Sequence, residues 1–376
     1  MQKKRNTLHR RDFLSLSFAA AGSLWLPIGC SSPSKAIPNS RPPSKKIGVA
    51  LLGLGYYSSD LLAPALQLTE HCYLAGIITG SPDKIPVWQK QYQIPDEHVY
   101  SYDNIDEIAN DDAIDVVYVV TPTATHPRFA IAAANAGKHV WCEKPMAMTV
   151  SDCQSIIEAC EKNKRKLSIG YRMLHEPNTQ TLMSYADSKP FGAFTRIDSQ
   201  AGYRGGVPSG WRATKNMGGG ALYDMGVYTV NGMRYATNLY PKRVLSARQY
   251  TERPAGFTEV DETTEYVLEF ENGLKGYGKT SVGENINLLK VSCEGGSYEL
   301  SPMQSYSGVQ GKRSDGILLN KPILNQQAKQ MDDDALAILE EKAVIATGLE
   351  GMKDIRIIQA IIASAERKEV VDIEAF

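Results

Sequence analysis

The hydrophobic pattern of the chain changes period once. Between residues 47 and 170, short apolar runs alternate with segments whose apolar positions recur at helical spacing. Residues 47–52 (Ile-Gly-Val-Ala-Leu-Leu) predict a strand and 59–69 a helix. Strands follow at 72–79, 114–120, 139–142 and 167–170, with helices at 127–136 and 151–163. Strands that are apolar along their whole length are buried on both faces. Their alternation with helices predicts a parallel, doubly wound α/β sheet. Beyond residue 175 the period becomes two. Thr264, Tyr266, Leu268 and Phe270 alternate with Glu265, Val267, Glu269 and Glu271, and Asn272-Gly273 supplies a tight hairpin turn. Residues 242–251, 274–282 and 288–301 are also strand-like, while 325–342 and 350–367 predict helices. The second half is expected to be an α+β domain whose large, mostly antiparallel sheet leaves one face open.

The first 30 residues are expected to lie outside the fold. Lys3, Lys4, Arg5, Arg10 and Arg11 precede a mostly apolar run at 13–29, the layout of a signal peptide. Arg10-Arg11-Asp12-Phe13-Leu14 resembles the twin-arginine export motif. Gly29-Cys30-Ser31-Ser32 resembles the end of a lipobox, with Pro27 where Leu is usual. Lipidation of Cys30, an uncleaved N-terminal anchor and simple cleavage nearby all stay open, and the expected location is the periplasm or a lipid anchor on the bacterial envelope. Residues 31–45, with Pro33, Pro38, Pro42 and Pro43, read as an extended arm or linker. The expected domains are then 46–170 for nucleotide binding and 171–376 for substrate and subunit contacts.

Composition narrows the partners. The 376 residues carry a net charge of −1, and without residues 1–30 the balance is −5. That excludes the basic footprint of a nucleic-acid binder. Apart from Cys30, the cysteines are Cys72, Cys142, Cys153, Cys160 and Cys293, an odd number with no C-x-x-C pair. Neither a disulfide framework nor a metal site is expected.

Two stretches carry chemistry. Gly53-Leu54-Gly55-Tyr56-Tyr57-Ser58 follows the first strand and opens a helix, where a pyrophosphate can approach the backbone. Ser58 takes the place of the usual third small residue. The second strand ends on Thr79 rather than an acid. With Ser81 and Lys84 it suits a 2′-phosphate, so NADP is favoured over NAD, with Asp83 as the counter-indication. Thr121 and Pro122 end another strand at the cofactor edge, and His126 either joins them or caps the next helix. Glu143-Lys144-Pro145 ends a further strand, and in a parallel sheet strand C-termini face the ligand crevice. The second stretch, Gly218-Gly219-Gly220-Ala221-Leu222-Tyr223-Asp224-Met225-Gly226-Val227-Tyr228, sets Asp224 and Tyr228 four residues apart on one helix face. A phenol ionises at about pH 10 in water and needs a cation beside it to act as a base near neutrality. Lys144 is the candidate cation.

In order and spacing, these motifs resemble those of the Gfo/Idh/MocA oxidoreductases, the glucose–fructose oxidoreductase branch in particular. Gly170-Tyr171-Arg172 and Gly210-Trp211-Arg212 complete the likeness, which runs from Lys46 to the C-terminus. The resemblance implies a Rossmann domain, a second domain with an open sheet used in dimers or tetramers, and a catalytic Lys144, often before a cis proline. Tyr228 stands where many relatives have His. Tyr171, Arg172, Trp211 and Arg212 would line a sugar pocket. The implied activity is NADP-dependent hydride transfer at a sugar or polyol hydroxyl. Because free NADP is scarce outside the cytosol, an exported enzyme would hold its cofactor and recycle it with two substrates. The arm at 31–45 would then either cover the adenine or serve as a spacer. An NAD-dependent glycosidase that oxidises its sugar transiently, and a non-catalytic sugar or nucleotide binder, remain as alternatives.

Overall fold

The computed structural model describes residues 45–306 and 308–376. The export motif, Cys30 and the arm up to residue 44 lie outside the described residues. The first sheet has six parallel strands in the order β3-β2-β1-β4-β5-β6. They are β1 Ile47–Leu52, β2 Cys72–Ile78, β3 Val99–Tyr100, β4 Val116–Val119, β5 His139–Cys142 and β6 Leu167–Ile169. The strand order reverses at β1, so the C-terminal ends of β1 and β4 open the crevice where doubly wound sheets bind ligands. All six residues of β1 are buried, as its unbroken apolar run requires. Alternate residues serve opposite layers. Ile47, Val49 and Leu51 pack with Leu62, Trp88 and Trp141, while Ala50 and Leu52 join Phe129, Ala133 and Ile156.

The helix predicted at 59–69 is replaced by a π-helical turn, Tyr57–Leu62, and a short α-helix, Ala63–Leu66. Pro64 has no N–H to continue an α ladder, and the turn before it widens. The layer over Ile47, Val49 and Leu51 is completed from far along the chain. Ala328, Met331 and Ala335 of the helix Gln326–Leu339 pack there. Asp332 of that helix accepts from the Glu70 and His71 amides at 3.0 and 2.8 Å. This C-terminal helix therefore covers the first sheet.

The second sheet has nine strands in the order β14-β13-β12-β11-β7-β10-β9-β8-β15. Its core strands are β7 Phe194–Gly202, β8 Arg243–Tyr250, β9 Thr263–Glu269, β10 Lys275–Ser281, β11 Ile286–Cys293 and β12 Gly296–Leu300, with short β13 Gly311–Arg313, β14 Leu318–Leu319 and β15 Val371–Asp372. Every pair is antiparallel except β7 with β10. The segment expected as one strand at 288–301 is a hairpin, β11 and β12, turning at Glu294-Gly295. The β9–β10 hairpin turns through Asn272 and Gly273, both at positive φ. Tyr266 and Leu268 face the core with Val230 and Met233 of the helix Val227–Thr237 and Ile355 and Ile358 of the helix Gly348–Arg367. The intervening residues carry ion pairs across strands, such as Lys279 with Glu265 and Arg248 with Glu265.

Candidate active site

The glycine loop after β1 is built for close approach. Gly53 lies at φ +96°, and a Cβ there would stand 2.7 Å from the Val120 carbonyl oxygen. Its N–H donates to Ile78 O at 2.9 Å, which fixes β1 to β2 at the crevice. Ser58 is fully buried and donates to Gly53 O at 2.5 Å, so this hydroxyl closes the loop from inside. Above Gly55 a Cβ would meet nothing within 4 Å, and that open space at the start of the helical turn fits a pyrophosphate. Tyr56 points to solvent and Tyr57 inward. At the end of β2, the Thr79 hydroxyl accepts from Ser81 N at 3.0 Å, and Lys84 Nζ donates to Leu54 O at 2.8 Å. The ammonium is thereby held against the glycine loop.

At the end of β5, a web of buried polar groups fixes Lys144. Glu143 Oε1 accepts from the Tyr118 hydroxyl at 2.7 Å, and its Oε2 from Lys144 N at 3.1 Å. Gln330, on the helix Gln326–Leu339, donates to the Tyr118 hydroxyl at 3.1 Å. Burial raises the Glu143 carboxyl, and the Tyr118 bond and the Lys144 charge oppose it. The carboxylate rests on Gly170, where a Cβ would come within 2.5 Å of Oε1. Gly170-Tyr171-Arg172 thus begins with glycine because Glu143 occupies the side-chain space. The Lys144–Pro145 bond is cis. His126 is the first residue of the helix His126–Asn135, and its ring bonds outward from it: Nδ1 to Pro145 O at 3.0 Å and Nε2 to Thr121 O at 2.8 Å. Burial lowers the pKa of the imidazole, and the bonds to the Thr121, Pro145 and Met146 carbonyls oppose that shift. His126 therefore ties two strand-end loops together. Thr121 takes a 2.8 Å bond from Thr125 beside Pro122.

The helix carrying Asp224 and Tyr228 begins with a π-helical turn, Leu222–Gly226. Lys144 Nζ donates to Asp224 O at 2.8 Å, lies 3.8 Å from Asp224 Oδ1 and stands 4.6 Å from the centre of the Tyr228 ring. The three residues named from sequence converge although they span 85 positions. Arg212 Nε is 3.9 Å from Asp224 Oδ2, and its guanidinium stacks on Trp211 at 4.3 Å. Arg172 is buried rather than open to a pocket. It bonds Gln326 Oε1, Gln304 Oε1 and Ser305 O, and lies 5.6 Å from the Tyr228 ring. Tyr171 turns away from this cluster. Its hydroxyl neighbours Asp354 and Tyr235 under the helix Gly348–Arg367, so it packs in the core. Two tyrosines missed from sequence stand here. Tyr203 donates to Asp224 Oδ2 at 3.1 Å, and burial with the Asp224 charge pushes its hydroxyl up to about 12. Tyr306 lies 6.3 Å from the Tyr57 ring and 4.6 Å from the Arg172 guanidinium. Neither falls in a motif singled out from the sequence. No cluster of His, Cys, Asp or Glu suited to a metal occurs among the described residues.

Residues 47–171 match the profile of an oxidoreductase family with an NAD-binding Rossmann fold, and residues 179–299 match the GFO/IDH/MocA C-terminal domain. An aldose–aldose oxidoreductase from Caulobacter crescentus, crystallised with glycerol, is similar at 35% identity and a TM-score of 0.83, over 88% of this chain and 100% of that one. An NADP(+) D-xylose 1-dehydrogenase of Haloarcula marismortui is 23% identical over 341 residues, 86% of this chain and 92% of that protein. A levoglucosan dehydrogenase solved with NADH and levoglucosan shares the fold, with a TM-score of 0.76 at 20% identity over 88% of this chain. With both domain profiles matched in order around one crevice, the chain belongs to the Gfo/Idh/MocA family and is an NAD(P)-dependent oxidoreductase acting on carbohydrate CH–OH groups.

Proposed function

We propose that the protein is an exported, NADP-dependent oxidoreductase that moves a hydride between the cofactor and a sugar or polyol. The observation that carries this reading is the meeting of Lys144, Asp224 and Tyr228 at the carboxyl ends of the parallel strands. The glycine loop, with its open space over Gly55, would hold the pyrophosphate. Lys84, beside Leu54 O, with the hydroxyls of Thr79 and Ser81, supplies donors and charge for a 2′-phosphate. Once bound, the nicotinamide supplies the hydride acceptor.

The residues of the chain do the rest. Lys144 holds the substrate hydroxyl oxygen and favours negative charge on it. Tyr228 takes the hydroxyl proton as the carbon–hydrogen bond gives up its hydride, leaving a carbonyl. Asp224 fixes Lys144 through its backbone carbonyl and Tyr203 through its carboxylate, and so sets the orientation of both. Trp211 and Arg212 stand at the solvent side, where a sugar would enter. An exported enzyme meets no cytosolic NADP pool. We therefore propose a retained cofactor, oxidised by one sugar and reduced by another, in a dimer or tetramer in the periplasm or on a Cys30 lipid anchor.

The test is to purify the protein from its exported form, denature it and identify any dinucleotide released. Stoichiometric NADP is expected. Protein free of dinucleotide that nonetheless turns over with added NAD would overturn the retained-NADP reading.

A further inference from the structure

We propose that Tyr306 recognises the ring of the sugar, its phenol giving the cleft an aromatic wall that selects a closed-ring aldose over an open-chain polyol. This rests on the carbohydrate reading above and adds a residue and a selectivity to it.

Tyr306 stands between β12 and β13, on a segment that other groups hold in place. Arg172 Nη2 donates to Gln304 Oε1 at 3.0 Å, and Nη1 to Ser305 O at 3.2 Å. Asn287 of β11 brackets Gln304, donating to its carbonyl at 2.6 Å and accepting from its N–H at 3.0 Å. The backbone leading into Tyr306 is therefore fixed from a buried cation on one side and a strand on the other. The ring itself rests 4.6 Å from the Arg172 guanidinium and tilts at 45° against Tyr57. Even so, the residue keeps 48% of its surface exposed. A large aromatic held by Arg172 and Tyr57 and half open is placed to meet a ligand rather than to fill the core.

Its electrical surroundings name the site it serves. Burial raises the Tyr306 hydroxyl, with Tyr228, Glu143 and Asp224 adding to the rise and Arg172 opposing it. Tyr306 is thus in the field of the same residues that gather around Lys144, and its hydroxyl stays protonated. What it offers is a neutral ring face. A pyranose has C–H bonds on its faces and hydroxyls around its rim. With a face on Tyr306, the rim turns toward Lys144, Asp224 and Tyr203. An open-chain polyol has no such face and gains little there. Tyr57, on the glycine loop, backs Tyr306, so the wall is anchored to the cofactor side of the crevice.

The experiment compares the wild type with Tyr306→Ala and Tyr306→Phe, using D-xylose as the closed-ring probe and xylitol as its open-chain counterpart. Tyr306→Ala is expected to raise KM for D-xylose about tenfold with kcat changed less than about threefold. Its preference for D-xylose over xylitol should shrink by a similar factor, with NADP affinity and thermal midpoint unchanged. Tyr306→Phe keeps the ring face and should stay within about twofold of wild type. The proposal falls if Tyr306→Ala leaves the preference intact, or if Tyr306→Phe loses as much as Tyr306→Ala. A wild type that oxidises neither probe nor other aldoses would sink the carbohydrate reading itself, a result separate from the failure of Tyr306 alone.

Discussion

Two loops meet at the site, and they are held in opposite ways. The Glu143–Pro145 turn is sunk among partners: Tyr118 and Gly170 against Glu143, and His126 on the Pro145 carbonyl. The stretch 203–217 lies near the surface, with single short 3₁₀ turns at Gly210–Ala213 and Lys215–Met217. Its tethers gather at its two ends: at the start, Tyr203 to Asp224, Arg204 N to Asn285 Oδ1 at 2.8 Å and Arg253 to Gly205 O at 2.8 Å, and near the end, Lys215 to Glu366 at 3.3 Å. A reacting ammonium needs a position set to a fraction of an ångström, and a buried polar web supplies that. Contacts that choose a substrate can sit on looser, wetter chain. The chemistry and the selectivity of this enzyme are thus expected to respond to different mutations.

The sharpest way to break the contrast is at the rigid side. Lys144→Ala should lower kcat by about 10³-fold or more while the protein still binds NADP, measured by steady-state kinetics and equilibrium binding. Gly170→Ala comes next. The added methyl must displace the Glu143 carboxylate, and kcat should fall about 10- to 100-fold through a shifted Lys144, with KM little changed. On the loose side, Arg253→Ala removes bonds to Glu262, Gly205 O and Val282 O. KM for the sugar should rise about fivefold with kcat nearly constant, since the change frees Tyr203 and Trp211 rather than Lys144.

The smallest effect concerns stability. Burial lifts Asp334 from its ordinary 3.8 to about 6. Its folded pKa is the higher one, so the folded state prefers the protonated form. That preference contributes fully below about pH 4 and is lost as pH rises through about 6. Asp334→Asn, which can still accept from Ser168, should therefore gain stability over wild type between pH 4 and 7, by up to roughly 3 kcal/mol. Thermal melts across that range check the sign.

The sequence was legible where function rests on short-range pattern. The apolar run of β1, the glycine turn after it and the strand-end Glu143-Lys144-Pro145 are each local, and the parallel topology then dictates which edge they share. The Asp224–Tyr228 pair could be read from helical spacing, though the turn is π-helical at its start. What could not be read was long-range. Tyr306 meets Tyr57 across 249 positions from a segment without period, and nothing in its neighbours marks it. The helix Gln326–Leu339 was visible as a helix, but its placement over the first sheet depends on Asp332 finding the amides of Glu70 and His71. Tyr171 and Arg172, adjacent in one motif, part company because Tyr171 turns toward Asp354 and Arg172 toward Gln326.

The central claim is that a carbinol hydrogen passes to a nicotinamide in the crevice where Lys144 and Tyr228 meet. D-Xylose deuterated at C1, incubated with the wild type and NADP, tests it most directly, with Tyr228→Phe as the comparison. The account predicts reduced nicotinamide carrying one deuterium from the sugar at C4, formed about 10³-fold more slowly by the variant. Reduced nicotinamide without deuterium, or a variant as fast as the wild type, would contradict it.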